Sequence, residues 1–316
     1  MAPDVAPLPR ARLDAGNDSY SMNARMQTGW VSLSFDDGLD QHLDHAVPLL
    51  TAAGLAGTFY VPLSAQGFIT RNTDWRRAAN EGHELGNHTV FHPADARKDW
   101  VRPGNAIDWY TLDRMRLELE FASQVLQTLD GLSERTFAYP CCNSFVGSRG
   151  WVRRLVEAVG FGRTRLAGWV DQWRLDLGST LRSYEPVAGD LFVAARGGGL
   201  VRGQSVPPTA TWRRTQLPSV AVDNWSLPDL QRHVTASVKS GTWAILQFHG
   251  VGGGHRLNCH LAVFLEFVAW LQSEHAGQVI TVLEGARRLW GNDAAGLELP
   301  RVVAAAGRAT TGANHP

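Results

Sequence analysis

The chain has 316 residues, and 44% of them are hydrophobic, which suits one large globular domain or two small ones. Thirty basic and thirty acidic side chains cancel, and neither sign forms a long run. This balance argues against a nucleic-acid partner or an anionic membrane surface and favours a neutral substrate.

Cysteine usage and hydropathy bear on the compartment. Cys141, Cys142 and Cys259 show no C-x-x-C spacing, so they indicate neither a disulfide framework nor a cysteine zinc site. The N-terminal segment lacks the apolar core of a secretory signal, and no stretch approaches the roughly 18 apolar residues of a transmembrane helix. We therefore expect a cytoplasmic protein by default. A secreted or periplasmic protein whose signal had been removed would give the same sequence.

Strand-like and helix-like patterns alternate over residues 29–295, between an extended N-terminal arm (1–28) and a flexible C-terminal tail (296–316). In chain order the patterns predict a strand at 30–35, a helix at 43–50, a strand at 57–61, a helix at 74–79, a strand at 84–86, a long helix capped by Thr111, a strand at 136–139, helices at 151–159 and 226–239, a strand at 243–248, a helix at 261–273, a strand at 278–282 and a helix at 283–289. Residues 163–220 lack a clean period and are interpreted as loops with short strands. About six or seven β/α units in one domain favour a barrel of mostly parallel strands over an open sheet.

Ionisable side chains follow the carboxyl ends of several predicted strands. Asp36 and Asp37 follow the first strand, His88 follows a short one, and His249 follows the strand at 243–248. In barrels and open α/β sheets this edge is where functional sites assemble. The pattern predicts that these groups meet at one rim.

His88 and His92 lie four residues apart, and this spacing would let both rings share one face of a helical turn, as metal-binding histidine pairs do. The alternative is two loop histidines with ordinary hydrogen bonds. A carboxylate at a neighbouring strand end favours the metal, since two histidines and one aspartate form the ligand set of a hydrolytic divalent-metal site.

Asp36, Asp37 and His249 each allow two interpretations. One aspartate could cap the next helix while the other is solvated, or one could bind a metal while the other takes a proton from the substrate side. His249 could be a hydrogen-bonded histidine at the edge of the core, or the acid that protonates a leaving amine.

Four ordered segments carry a family resemblance. SFDDG (34–38), HTVFH (88–92) after ELGN (84–87), FAYP (137–140) and ILQFHG (245–250) resemble the motifs of the polysaccharide deacetylase (NodB-homology) family, of the carbohydrate esterase type. The resemblance extends over roughly residues 29–290. It implies a distorted (β/α) barrel, seven-stranded, with one divalent metal ion, commonly zinc.

The resemblance also implies roles by position. The implied metal ligands are Asp37, His88 and His92. Asp36 would be the general base, His249 the general acid, and the backbone N–H of Cys141 would help the metal to hold the oxyanion. The implied reaction removes N-acetyl groups from an N-acetylhexosamine-containing saccharide by attack of a metal-bound water.

Several positions depart from the commoner family pattern. Ala138 stands where many members have an arginine that pairs with the base, so Asp36 must be tuned by another group or lie in a more open environment. Gln247 stands where an apolar residue usually lines the acetyl-methyl pocket. The candidate substrate-binding residues are Tyr139, Gln247 and Trp225. The candidates for the aspartate that supports His249 are Asp223 and Asp171.

The leading hypothesis is therefore a metal-dependent saccharide N-deacetylase. The departures at Ala138 and Gln247 keep open a hydrolase of a non-sugar amide or cyclic imide on the same scaffold. A catalytically silent saccharide-binding protein is the third alternative, which a complete set of ligands, base and acid disfavours. The sequence leaves the oligomeric state open, a homo-oligomer included.

Overall fold

The structure is a computed structural model that describes residues 29–150, 155 and 178–291. Its strands are β1 (Trp30–Asp36), β2 (Thr58–Val61), β3 (Glu84–Asn87), β4 (Thr136–Ala138), β5 (Phe145–Val146), β6 (Arg182–Ser183), β7 (Ala194–Leu200), β8 (Leu217–Ala221), β9 (Trp243–Phe248), β10 (Gly250–Val251) and β11 (Asn258–Cys259). Its helices are α1 (Val47–Ala52), which a π-helical turn at His42–Ala46 precedes, α2 (Gln66–Asn80), α3 (Leu112–Asp130), α4 (Glu185–Leu191), α5 (Leu227–Lys239), α6 (Leu261–His275) and α7 (Val282–Trp290).

Seven parallel strands close into a barrel in the order β1, β2, β3, β4, β7, β8, β9. The last strand returns to the first, with Trp30 opposite Trp243 and Phe35 opposite Phe248. Short β5–β6 and β10–β11 pairs lie outside this sheet. The predicted seven-stranded (β/α) barrel is confirmed.

The barrel has an apolar outer face and a polar interior. In β1, Val31, Leu33 and Phe35 belong to the apolar core shared with the surrounding helices, because alternate side chains of a strand point to opposite faces. Ser34 and Asp36 occupy the intervening positions and are buried. This arrangement lets charged side chains approach one another inside the barrel.

Glu84, at the start of β3, is the main polar group on the floor of the barrel. Its carboxylate accepts hydrogen bonds from the hydroxyl groups of Thr58 and Thr136 and, at 2.8 Å, from the backbone N–H of Leu283 in α7. Gly86, two residues on, leaves room for the ring of Tyr60, which would lie 2.3 Å from a Cβ at that position. These contacts close the end of the barrel opposite the predicted rim.

Two segments differ from the sequence prediction in the first half of the chain. The helix predicted at 74–79 begins at Gln66 and is kinked at Arg71, where φ is −129° and ψ is 32°. Its first turn has no side-chain cap, so no local signal marks it. Buried Phe68 and Trp75 hold it against the core instead, and tertiary packing overrides weak helix propensity.

The second half contains larger differences. Within the region interpreted as loops, residues 178–220 contain helix α4 and two barrel strands, β7 and β8. The strand predicted at 278–282 is wrong, because Val279 makes only an isolated bridge to Val31 and Thr281 already caps α7. Val31 is free for this bridge because β2 pairs with β1 only from Ser34 onward.

The structure does not test the predictions made for the two ends of the chain and for the segment after residue 150. The N-terminal arm, the C-terminal tail and, apart from residue 155, the helix predicted at 151–159 lie beyond the residues that the structure describes. Within the described ranges, no helix combines the length and the apolar character needed to cross a bilayer.

Candidate active site

Three potential metal ligands meet at the carboxyl ends of neighbouring barrel strands. Asp37 directly follows β1, and His88 directly follows β3. Asp37 Oδ1 lies 3.3 Å from His92 Nε2 and 3.7 Å from His88 Nε2. One ligand atom from each residue lies within 4.8 Å of the other two, as donors around a single small cation would.

The four-residue spacing of His88 and His92 predicted a helical turn, but the backbone that carries them is not helical. Thr89 and His92 have left-handed φ values of 68° and 50°, and Asp37 has a φ of 77°. The turn is held by side chains, since the N–H of His92 donates to Thr89 Oγ1 at 2.9 Å and the N–H of Thr89 donates to Asn87 Oδ1 at 2.8 Å. Left-handed backbone at non-glycine residues is strained and concentrates at functional sites.

Hydrogen bonding and burial prepare the ligands for a cation. His88 Nδ1 donates to the carbonyl oxygen of Ala138 at 2.8 Å, which leaves the lone pair of Nε2 towards Asp37. Burial lowers the pKa of His92 to about 4, so its ring is neutral. Burial would raise the pKa of Asp37, but the neighbouring imidazoles hold it below its ordinary value. One anionic oxygen and two imidazole nitrogens fit zinc or a similar divalent ion.

One side of the cluster is open to solvent. The side chains of Asp37 and His92 are 23% and 18% exposed, whereas His88 is buried. The ring of Trp100 lies beside His92, with 5.6 Å between the ring centroids. The open side leaves positions for water and substrate, as catalytic rather than structural metal sites require.

Asp36, the last residue of β1, is buried and held by two side chains. Arg196 Nη2 donates to both carboxylate oxygens, at 2.5 Å and 2.6 Å, and Gln247 Nε2 donates to Oδ2 at 2.9 Å. Burial would raise the pKa of Asp36, but the guanidinium of Arg196 and the nearby imidazoles hold it below its ordinary value. The carboxylate is therefore ionised and fixed in orientation.

The hydrogen bonds to Asp36 belong to a network of four residues that crosses the seam of the barrel, where β9 pairs with β1. Arg196 Nη1 also donates to Ser219 Oγ at 3.2 Å, and Ser219 Oγ donates to Gln247 Oε1 at 3.4 Å. The residues come from β1, β7, β8 and β9 and form a closed ring of hydrogen bonds. We call this set, Asp36, Arg196, Ser219 and Gln247, the carboxylate clamp.

Arg196 was missed by the sequence analysis, although its chemistry was sought. Its register partner on the adjacent strand is Ala138, the position where an arginine had been expected. Paired residues of neighbouring strands point to the same face, so a guanidinium from β7 reaches the carboxylate that one from β4 would have reached. Arg196 is thus the group that lowers the pKa of Asp36 in place of an arginine at position 138, and Asp36 is buried rather than open to solvent.

His249 follows β9 and lies beside a carboxylate. Its Nδ1 is 3.1 Å from Asp223 Oδ2, and its backbone carbonyl accepts a hydrogen bond from the ring of buried His42 at 2.6 Å. Burial disfavours the charged ring, but Asp223, Asp36 and Asp37 together raise the pKa of His249 above its ordinary value. Of the two aspartates considered for this role, Asp223 is in contact, and Asp171 lies outside the described residues.

Part of the chain is similar in sequence to a known protein family. Residues 23–146 match the family model described as polysaccharide deacetylase. The chain is similar to this family over the matched segment. That segment contains the three potential metal ligands and Asp36, whereas Arg196, Asp223 and His249 come from the rest of the chain.

Individual relatives are distant or only partly aligned. A gellan lyase of Bacillus sp is 31% identical over 127 residues, which are 40% of this chain, and the chain spans about 4% of that protein's length. The structure of a putative polysaccharide deacetylase from Mycobacterium smegmatis has a TM-score of 0.52 at 12% identity, over 92% of this chain and 96% of that one. A family 4 acetyl xylan esterase from Clostridium thermocellum has a TM-score of 0.46 at 18% identity, over 83% and 91%. The likeness to the mycobacterial structure is one of fold.

Cys141 lies in a tight turn next to the cluster of potential metal ligands. Its φ of 51° and that of Cys142, 56°, are both left-handed. Among the described residues, the N–H of Cys141 donates no hydrogen bond, while the N–H of Cys142 donates to Tyr139. Burial, with a smaller contribution from Asp37, raises the pKa of the Cys141 thiol to about 11. A neutral thiol is a poor nucleophile, so the available group is the backbone N–H.

The three predicted substrate-binding side chains are all buried. Tyr139 is buried, and its hydroxyl donates to the carbonyl of Thr215 at 3.0 Å. Trp225 is buried in the core and packs edge-on against His233, with ring centroids 5.6 Å apart. Gln247 is buried in the carboxylate clamp. A polar residue at Gln247 therefore serves Asp36, which the sequence alone could not reveal.

Proposed function

We propose that this protein is a metal-dependent hydrolase that removes acetyl groups from an N-acetylhexosamine-containing saccharide. The observation that carries the proposal is the meeting, at one rim, of three potential ligands of a cation, the buried and ionised Asp36, and His249 beside Asp223. A protein that only bound saccharide would need no such set.

The proposed reaction divides among the chain's own groups. Asp37, His88 and His92 would hold a divalent ion, zinc in the first instance, which when bound acidifies water and polarises the acyl carbonyl. Asp36 takes the proton of the attacking water; a carboxylate has about four lone-pair positions, so the bonds from Arg196 and Gln247 leave it able to accept.

The remaining groups act on the tetrahedral carbon and the leaving amine. The N–H of Cys141 donates to the oxyanion as the water oxygen bonds to the acyl carbon. His249 gives its Nε2 proton to the amine as the carbon–nitrogen bond breaks, because Nδ1 is already engaged by Asp223. Acetate and a free amino sugar result. The proton taken by Asp36 then returns to solvent, and His249 regains a proton from solvent.

The two features that kept a non-sugar amide or cyclic imide open are explained within the barrel. Arg196 supplies the guanidinium that Ala138 lacks, and Gln247 bonds to Asp36. Neither Ala138 nor Gln247 is therefore an argument for a non-sugar substrate, and a saccharide remains the proposed substrate.

An acetate-release assay tests the proposed function. Purified protein would be incubated with oligomers of N-acetylglucosamine after chelation, and again after addition of Zn²⁺, Co²⁺ or Mn²⁺. We expect acetate and a new amine in equal amounts, lost on chelation and restored by at least one ion. Absence of chelator-sensitive release from every amino-sugar oligomer would contradict the proposal.

We expect Asp223→Asn to move the alkaline limb of the pH profile of kcat/KM to lower pH. A general acid acts in its protonated form, so activity falls as the pH rises through its pKa. Asp223 raises the pKa of His249, and the neutral amide removes that effect. Asp190→Asn, at an exposed ion pair with Arg116, is the control and should leave the limb in place. An unshifted limb in Asp223→Asn would exclude His249 as the acid.

A further inference from the structure

His42 is a buried histidine that the proposed reaction does not use. It begins the π-helical turn that follows Asp36 and Asp37 in the chain, and its side chain is fully buried. Its ring packs against Phe35 and Phe59, with ring centroids 5.5 Å and 5.8 Å away. Single π-helical turns are rare and occur frequently at functional sites. A polar ring in such a turn, between two phenylalanines of the core, therefore calls for an explanation.

The ring of His42 is neutral, and its one proton lies on Nε2. Burial lowers the pKa of His42 to about 4, so the ring has a single N–H group. Nε2 lies 2.6 Å from the backbone carbonyl oxygen of His249, and a carbonyl oxygen can only accept, so Nε2 is the donor. Nδ1 is then an unprotonated acceptor, and among the described residues no donor reaches it.

The unpartnered Nδ1 argues that His42 does more than fill space. A buried acceptor without a donor destabilises a fold, because it has lost its hydrogen bonds to water. An apolar side chain of similar size between Phe35 and Phe59 would avoid that cost. What the histidine adds is one hydrogen bond, and this bond goes to the main chain of the proposed general acid.

His249 lies just beyond the regular part of the barrel. The pairing of β9 with β1 ends one residue earlier, at Phe248 opposite Phe35. The side chain of His249 is 14% exposed and reaches the open rim, where Asp223 lies beside Nδ1. The bond from His42 therefore holds the main chain of His249, while Asp223 holds its ring.

The turn that carries His42 also supports the loop that follows His249. A Cβ at Gly252 would lie 3.2 Å from Cδ2 of the His45 ring, and a Cβ at Gly254 would collide with the side-chain amide of Gln41. Both glycines have left-handed φ values, of 71° and 81°. The loop thus packs closely on residues 41–45, and the bond from His42 to His249 lies where this contact begins.

We propose that His42 is a positioning residue for the general acid, whose imidazole it keeps at the rim by holding the backbone carbonyl of His249. His42 belongs to the same segment as Asp36 and Asp37, so its hydrogen bond ties the acid to the base and to a potential metal ligand across the seam of the barrel. The inference rests on the proposed function and adds a residue that acts through His249 rather than on the substrate.

Two substitutions separate the hydrogen bond from the space that the ring fills. Leucine has nearly the volume of histidine but no donor, whereas glutamine carries an amide NH₂ at about the position of Nε2. Metal-loaded protein would be assayed with oligomers of N-acetylglucosamine. We expect His42→Leu to lower kcat by up to about 10²-fold, the loss that a small misplacement of a reacting group can cause. KM and metal content should stay near the wild-type values, and His42→Gln should recover most of kcat.

His83→Leu is the matched control. His83 is also buried, its ring also packs against Phe59, and burial lowers its pKa to about 4 as well. Its Nδ1 accepts from the N–H of Gly57 and its Nε2 bonds to Thr51 Oγ1, both at 3.0 Å. Gly57 precedes β2, at the end of the barrel opposite the rim. His83→Leu should therefore lower the free energy of unfolding but leave kcat of the folded protein unchanged.

The pattern over the three variants decides the outcome. A loss of kcat in His42→Leu that His42→Gln recovers and His83→Leu lacks supports the proposal. Wild-type kcat in His42→Leu overturns it, and so does an equal loss in His42→Gln, because the donor would then make no difference. If His42→Leu does not fold, His42→Asn takes its place, since the shorter amide is polar but cannot reach the carbonyl of His249.

Nuclear magnetic resonance separates failure of this proposal from failure of the proposed function. The ring signals of His249 would be recorded with isotope-labelled histidine in the wild type, His42→Leu and His42→Gln. If the wild type releases no acetate, but the His249 signals move in His42→Leu and not in His42→Gln, the deacetylase proposal fails and the positioning role stands. Unmoved His249 signals in His42→Leu overturn the positioning role, whether or not the protein releases acetate.

Discussion

Asp37→Ala is expected to remove divalent-metal binding and acetate release together. The substitution deletes the anionic ligand of the cluster and leaves only the two imidazole nitrogens to bind a cation. Removing even a group that only supports a metal ligand costs about 10–100-fold in affinity or activity, so loss of a ligand should exceed that range. Metal content after dialysis against Zn²⁺ and acetate release from oligomers of N-acetylglucosamine are the two measurements.

The adjacent aspartate provides the matched control. Asp36→Asn keeps the clamp's shape and all three potential ligands, so we expect metal content at the wild-type level and turnover lower by about 10²–10⁴-fold, the range for loss of general base catalysis. Equal metal content in Asp37→Ala and the wild type would contradict the assignment of the ligands. Full activity in Asp36→Asn would contradict its role as base.

Arg196→Ala is expected to destabilise the protein and to lower turnover. The variant leaves Asp36 buried without its main cationic partner, and breaking a buried ion pair in this way costs roughly 3–5 kcal/mol. Chemical denaturation would report the change in the free energy of unfolding, and acetate release would report the loss of orientation of the base.

A second substitution distinguishes a loss of charge from general damage. Because Ala138 is the register partner of Arg196, Ala138→Arg in the Arg196→Ala background should return a guanidinium to Asp36 and restore part of both stability and turnover. The carbonyl of Ala138 that orients His88 belongs to the backbone and is kept. Arg196→Lys would test whether one charge is enough. A double variant no better than Arg196→Ala would show that the position of the arginine on β7 is itself required.

The sequence predicted that the potential metal ligands follow strand ends and lie together, but it did not predict the clamp. Asp36, Asp37, His88 and His249 stand at the ends of short apolar runs, and such runs identify buried strands. β7 reads AARGGGL, with three consecutive glycines and no alternation, so no pattern marks it as a strand. Its arginine could not be recognised because the strand that carries it was not.

Local geometry limited the remaining predictions. The spacing of His88 and His92 suits a helix, yet side-chain bonds from Thr89 and Asn87 hold a left-handed turn that brings the rings together another way. Gln247 lies on an apolar strand, where a sequence pattern shows that a polar residue is unusual but not which carboxylate it meets. Contacts across 160 or more residues, such as that from Arg196 to Asp36, leave no local trace.

Because of the carboxylate clamp, the proposed general base depends on strands that are synthesised late. Asp36 is translated early, but Arg196, Ser219 and Gln247 follow much later, and Gln247 lies on the strand that closes the barrel against β1. During synthesis the potential metal ligands therefore exist long before the base has its partners. Separation of β9 from β1 would also break the hydrogen bond from Gln247 to Asp36. Opening of the barrel at this seam should therefore also impair the proposed general base.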